Sequence, residues 1–236
     1  MRRWLTLLAT TLLLTGMPVT AHAATVTQIA RWEMNEPGGS TRMSDSSGNG
    51  LDGQIGGEVR IGGSINGSTA YRFDRLEPDT PPTHPGHLVV VPANPALDPG
   101  DRNFAVTLRL RTTEHFGNII QKGQSTTPGG NFKLQIPNGR VGCYFRGSRG
   151  VLQAIARDPI NDGAWHVVTC VRVSTGVALA IDGQRVAGRQ GWTGPINNSW
   201  PITIGGKIDC DQNEVGCDYF AGDIDQVIIE TAGAAW

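Results

Sequence analysis

The 236-residue sequence lacks an excess of either charge: 20 Lys and Arg stand against 21 Asp and Glu, a formal net charge of −1. Without a basic surplus there is no electrostatic footprint for nucleic acid. Lysine itself is scarce, present only at Lys122, Lys133 and Lys207. No sustained helical period occurs, so the helical fold classes drop out. Glycine is abundant, at 32 residues with 14 prolines, yet without a Gly-X-Y repeat, which excludes a collagen-like chain. Beyond the N-terminal stretch no segment is apolar and long enough to cross a bilayer as a helix. Apolar residues make up 39%, enough to rule out disorder throughout and to build one core.

The N-terminus reads as a secretory signal over residues 1–23. Arg2 and Arg3 precede an apolar run from Leu5 to Leu14, and Ala21-His22-Ala23 supplies a small-x-small end. Residues 24–236 are then expected to form one exported, extracellular domain. Cysteine occurs only at Cys143, Cys170, Cys210 and Cys217, an even number that implies two disulfides in an oxidising compartment. Three pairings are open. Cys210 and Cys217 flank a short polar stretch and can close it; Cys143 and Cys170 lie in strand-like runs and are the favoured bridge between neighbouring strands. The spacings are not CxxC and the histidines at 84, 87, 115 and 166 are dispersed, so zinc is disfavoured.

Short β-rich runs recur between Gly, Pro, Asn and Asp. Examples are Ile29–Met34, Phe104–Arg111, Phe132–Ile136, Val141–Arg146, Trp165–Val173 and Asp223–Glu230. In Phe104–Arg111, Phe104, Val106, Leu108 and Leu110 face one way and Ala105, Thr107, Arg109 and Arg111 the other. In Asp223–Glu230 the same period sets Asp223, Asp225, Val227 and Ile229 against Ile224, Gln226, Ile228 and Glu230. A period of two marks half-buried antiparallel strands, and a dozen such runs mean an all-β sandwich or jelly roll. Asp182-Gly183 is a hairpin turn between two strands, which makes Asp182 a turn residue. Residues 76–86 carry four prolines and read as a surface insertion.

The order of motifs resembles a LamG-like jelly-roll domain of the concanavalin A-like lectin/glucanase superfamily. The motifs run from Ala30-Arg31-Trp32-Glu33-Met34-Asn35-Glu36 and Asp45-Ser46-Ser47-Gly48-Asn49-Gly50 through Ala70-Tyr71-Arg72-Phe73-Asp74. They continue with Asp162-Gly163-Ala164-Trp165-His166 and Ala180-Ile181-Asp182-Gly183, and end at Phe220-Ala221-Gly222-Asp223-Ile224-Asp225. The match covers about residues 26–230. It departs after Asp74, where the family continues with Gly and this chain has Arg75. The resemblance implies a two-sheet antiparallel jelly-roll sandwich that serves as a recognition module for glycans or extracellular proteins, with calcium at the rim in some members.

Calcium needs several oxygens on a sharply turning loop. The resemblance places the Asp45–Gly50 loop near the last strand, which makes Asp45, Asn49 and Asp225 the calcium candidates and Asp74 a further one. The alternative is that Asp45 and Asn49 only bond their own turn. Asp209, Asp211, Asn213, Glu214 and Asp218 form a second acidic cluster, but Glu214 and Phe220 break the EF-hand pattern. Laminarinase-type hydrolases of the superfamily carry paired carboxylates on one strand face. Here no Glu occupies Val227 or Ile228, so that pattern is absent. His166 as a catalytic base is the weaker reading beside a strand role. Aromatic rings cover the apolar face of a sugar: Trp32 and Trp165 belong with the core, Tyr144 with a cover over Cys143, and Trp192 and Trp200 in the loop 191–201 are the ligand candidates. The expectation is a secreted, non-catalytic glycan-binding module; the alternatives are a glycosidase-related enzyme and a protein-adhesion domain.

Overall fold

A computed structural model describes residues 25–62, 69–76, 83–210 and 217–232. The signal expected at 1–23 and part of the proline-rich insertion lie outside the described residues. In chain order the strands are β1 (Val26–Trp32), β2 (Arg42–Met43), β3 (Gly53–Ile55), β4 (Arg60–Ile61), β5 (Tyr71–Phe73), β6 (Val89–Val91), β7 (Asn103–Arg111) and β8 (Phe116–Lys122). They continue with β9 (Asn131–Pro137), β10 (Gly142–Gly147), β11 (Gly150–Ile155), β12 (His166–Val173), β13 (Gly176–Ile181), β14 (Gln184–Gln190), β15 (Ile202–Ile204) and β16 (Gly222–Ala232). Among the described residues the only helices are two short 3-10 turns, Pro85–His87 and Pro95–Leu97. Neither is long or apolar enough to cross a membrane.

The strands form two eight-stranded antiparallel sheets. The first runs β14-β13-β12-β7-β16-β5-β4, with β1 also paired to β16; the second runs β11-β10-β9-β8-β15-β6-β3-β2. Alternation dictates what lies between them. Phe104, Val106, Leu108 and Leu110 of β7 are buried, as are Phe132, Leu134 and Ile136 of β9. Phe104 from the first sheet meets Phe132 and Phe145 from the second, with centroids 5.2 and 6.4 Å apart. Each such ring contributes about 1.5–3 kcal/mol on burial. Trp32 lies in this core as expected and donates from Nε1 to the Leu51 carbonyl at 2.7 Å.

Both disulfides pair as expected, Cys143–Cys170 and Cys210–Cys217. The first does not join neighbouring strands, however. Cys143 is on β10 of the second sheet and Cys170 on β12 of the first, so the bridge, with Cα atoms 5.7 Å apart, crosses the sandwich. Both face inward because alternation puts them with the core residues of their strands.

Alternation fails at one place that matters. In β16, Ile224, Val227 and Ile229 are all fully buried, and the pairing to β7 shifts between Ile224 and Val227. A bulge there inserts an extra residue and changes the phase, so the strict period expected for Asp223–Glu230 does not hold. Asp223 and Asp225 lie on the outer face: Asp223 bonds Arg111 at 2.6 Å and Arg72 at 3.1 Å, and Asp225 bonds Arg109 at 3.0 Å. Trp165 is on that outer face too, not in the core. Its ring packs under the guanidinium groups of Arg109 and Arg111, 4.7 and 5.1 Å from its centroid.

Candidate functional site

A groove of about 370 Å³ crosses the outer face of the second sheet. It follows directly from strand register. Gln121 of β8 pairs with Lys133 of β9, which pairs with Tyr144 of β10. In antiparallel strands such partners share a face, so these side chains form one row pointing away from the core. Asn118 and Gln135 form the next row, and Asn131 with Arg146 another. Of these rows Gln121, Lys133, Tyr144, Gln135 and Asn131 line the groove, together with Phe116, Gln124, Ser125, Lys207 and Asp218; Asn118 and Arg146 are not part of the lining. The groove therefore joins two aromatic rings, Phe116 and Tyr144, to four side-chain amides. Tyr144 is an outward residue lining the groove, not a cover over the inward-facing disulfide.

The floor is a bonded network. The buried Asn118 donates from Nδ2 to Gln121 Oε1 at 3.1 Å and to Asp218 Oδ2 at 3.2 Å. Lys207 Nζ reaches the same Asp218 oxygen at 2.8 Å. Lys133 lies over the Tyr144 ring, 5.6 Å from its centroid. The main chain holds Asp218 in place: its carbonyl accepts from the Asn118 N–H at 2.7 Å, and Lys207 N donates to the Cys217 carbonyl at 2.8 Å. Amides, a carboxylate and an ammonium beside flat rings offer both donors and acceptors next to apolar surface, the composition of a small-molecule site. Among the described residues the groove holds one carboxylate, Asp218, where glycoside hydrolysis uses a pair.

The residues singled out in the sequence go elsewhere. Trp192 is exposed, with the Arg149 guanidinium 5.2 Å from its ring, and Trp200 is half-buried, its N–H bonded to Asn198 Oδ1. Neither lines the groove. Asp45 organises its own turn. Oδ1 accepts from the N–H groups of Arg31 and Ser47, and Oδ2 from the Leu51 N–H and the Ser47 hydroxyl, all within 3.0 Å. These four bonds outweigh burial and lower the Asp45 pKa. They also fill the four lone-pair positions of the carboxylate. Asn49 donates to the carbonyls of Gln28 and Ile29, Asp74 pairs with Arg60, and Asp225 is held by Arg109. Asp45, Asn49 and Asp225 as arranged here do not fit a calcium ion, and among the described residues no three His, Cys, Asp or Glu side chains gather to hold a metal. Melting of the protein is accordingly expected to be the same in calcium and in chelator. Asp45→Ala should cost about 1–3 kcal/mol in either, because the four donors lose their acceptor. A melting temperature raised by calcium in the wild type but not in Asp45→Ala would restore the metal reading. Of the acidic loop, 211–216 lies outside the described residues.

Two other clefts carry titratable side chains. One of about 210 Å³ is lined by Glu33, Asn35, Arg109, Asp225 and Gln226, and so does hold two carboxylates. Burial pushes Asp225 up despite Arg109, whereas Arg31 and Gln226 outweigh burial and hold Glu33 down. A wider cleft of about 580 Å³ contains His166 and Asp182 but no Phe, Tyr or Trp. There His166 is clamped between Asp182 at 2.8 Å and Asp162 at 3.2 Å. Burial opposes its charge, but the two carboxylates prevail and raise its pKa. Asp182 has φ 51°, as the Asp-Gly hairpin turn requires.

Comparison with known proteins agrees with this architecture. The sequence profile of a laminin G type family, described as concanavalin A-like lectin/glucanases superfamily, matches residues 86–232. Domain 4 of AbnA, a GH43 extracellular arabinanase from Geobacillus stearothermophilus solved in complex with arabinotriose, superposes with a TM-score of 0.61. It is 16% identical, and the match covers 89% of this chain and 95% of that one. The binding domain of botulinum neurotoxin serotype D gives 0.58 at 15% identity, covering 87% and 46%. Domains LG4-5 of the mouse laminin alpha1 chain give 0.51 at 18% identity, covering 61% and 40%. The chain thus spans about two fifths of the laminin fragment and about half of the toxin domain. At these identities the likeness shows the fold alone, while the profile match over more than half of the chain settles the family. The chain belongs to the laminin G type of the concanavalin A-like lectin/glucanases superfamily.

Proposed function

We propose that this chain is a non-catalytic carbohydrate-binding module that lays an oligosaccharide along the outer face of β8–β10. The observation that carries the reading is the single row Gln121–Lys133–Tyr144 beside Phe116, Asn118 and Asp218, which pairs ring surface with amide donors and acceptors. The arabinotriose bound to the AbnA domain supports the same ligand class. An extracellular setting is supported by the two disulfides and by the signal read at residues 1–23. The hydrolase alternative rests on Glu33 and Asp225. There burial pushes Asp225 up despite Arg109 while Glu33 is held down, the split an acid and a nucleophile would need, but that cleft is lined by no aromatic ring to hold a sugar.

An array of neutral and acidic oligosaccharides, arabinotriose among them, tests the proposal. Wild-type protein is expected to retain a subset, with or without calcium, and to release no reducing sugar. Tyr144→Ala should weaken retention about tenfold, the loss of one stacked ring. Unchanged retention by Tyr144→Ala, or retention lost in Trp192→Ala instead, would move the site off this groove.

A further inference from the structure

Asn118 is a buried amide with one end spent and the other unmet. It is 1% exposed, its Nδ2 serves two acceptors, and its Oδ1 has no hydrogen-bond partner. A buried acceptor left unsatisfied costs about 1–3 kcal/mol, so an amide retained in that state calls for an explanation. Turning the amide over would not relieve it, since Asp218 Oδ2 needs a donor opposite. What the arrangement achieves is the orientation of two groove residues. Gln121 is itself buried, and because its Oε1 accepts from Asn118, its Nε2 is the end left to donate. Asp218 receives both Asn118 and Lys207 on Oδ2, so its Oδ1 is the end left to accept. Asp218 also adopts φ 49°, a conformation uncommon outside glycine and better tolerated by Asp, which brings its side chain to the floor.

We propose that Asn118 is a positioning residue: it presents Gln121 Nε2 and Asp218 Oδ1 together as a donor and an acceptor for a pair of hydroxyls on an uncharged saccharide. This rests on the groove being the carbohydrate site. A hydroxyl both donates and accepts, so a sugar diol satisfies one fixed donor beside one fixed acceptor. At this donor–acceptor pair the saccharide presents hydroxyls and no charge, because Lys207 already neutralises Asp218; Lys133 is the further charged group of the groove. An added carboxylate would sit against the free Asp218 oxygen.

The test combines Asn118→Leu with the oligosaccharide, arabinotriose included, that the array selects. The variant removes the unmet acceptor together with the two donated bonds. It is expected to melt close to the wild type yet bind at least about tenfold more weakly. Wild-type affinity should change little between low and high salt. Without any variant, the side-chain amide resonance of Gln121 should shift on titration with the saccharide. A Gln121 amide that stays put, Asn118→Leu affinity within about twofold of wild type, or affinity that falls steeply with salt, would overturn this inference while leaving the groove as the binding site. A wild type that binds no oligosaccharide would overturn both.

Discussion

Arg172→Met is expected to lower the unfolding free energy by roughly 3–5 kcal/mol, because two buried and two half-buried acceptors lose a donor, the buried ones at about 1–3 kcal/mol each, and methionine recovers only packing. Arg172 is 1% exposed. Its guanidinium donates to Thr193 Oγ1 and to the carbonyls of Gly100 and Gly194, all at 2.9 Å, and to the Arg102 carbonyl at 3.2 Å. It thereby ties β12 to the loop before β7 and to the loop after β14. Lys122 does related work nearby, fully buried with Asp98 at 2.7 Å and bonded to the Asn198 carbonyl. Denaturant unfolding at neutral pH measures the effect. A loss under about 1 kcal/mol would mean that water replaces the guanidinium without penalty.

The second large effect belongs to the disulfide that crosses the sandwich. Cys143 and Cys170 are 27 residues apart, and the loop-entropy relation gives about 3.5 kcal/mol for a closure of that length. The separation of 7 between Cys210 and Cys217 gives about 2.4 kcal/mol. Cys143→Ala with Cys170→Ala should therefore destabilise more than Cys210→Ser with Cys217→Ser. Both inner sulfurs lie in the core, at 0% exposure, which adds a packing loss to the entropic one. The opposite ranking in thermal unfolding would contradict the crossing bridge as the main covalent staple.

Local rules carried the sequence far. Alternation in Phe104–Arg111 and Phe132–Ile136 marks strands whose apolar side is the observed core, and Asp182-Gly183 is the turn its chemistry demands. Strands without alternation escaped. β14 is exposed almost throughout, so that only the Asp182-Gly183 turn before it announced a strand there, and β2, β3 and β4 are too short to show a period. The β16 bulge was illegible because a period of two read along Asp223–Glu230 assumes uninterrupted pairing with β7, and register is a property of both strands. The groove escaped for the same reason. Gln121, Lys133 and Tyr144 are separate polar residues in the sequence and become one row only when β8, β9 and β10 are set in register. The available signal was that Tyr144 alternates with Cys143 and so faces away from it. For Asp45 the sequence left calcium and turn bonding both open; in the fold three donors from its own loop and the Arg31 N–H of β1 surround its carboxylate.

Where a bound saccharide sits on the folded chain is the most direct test. Chemical-shift mapping of the labelled protein, titrated with the best array ligand, resolves it residue by residue. The expected shifts centre on Gln121, Lys133, Tyr144 and Asp218, with the Trp192 and Trp200 indoles unmoved. Shifts confined to those two indoles, or to the cleft of Glu33 and Asp225, would contradict the groove as the recognition site.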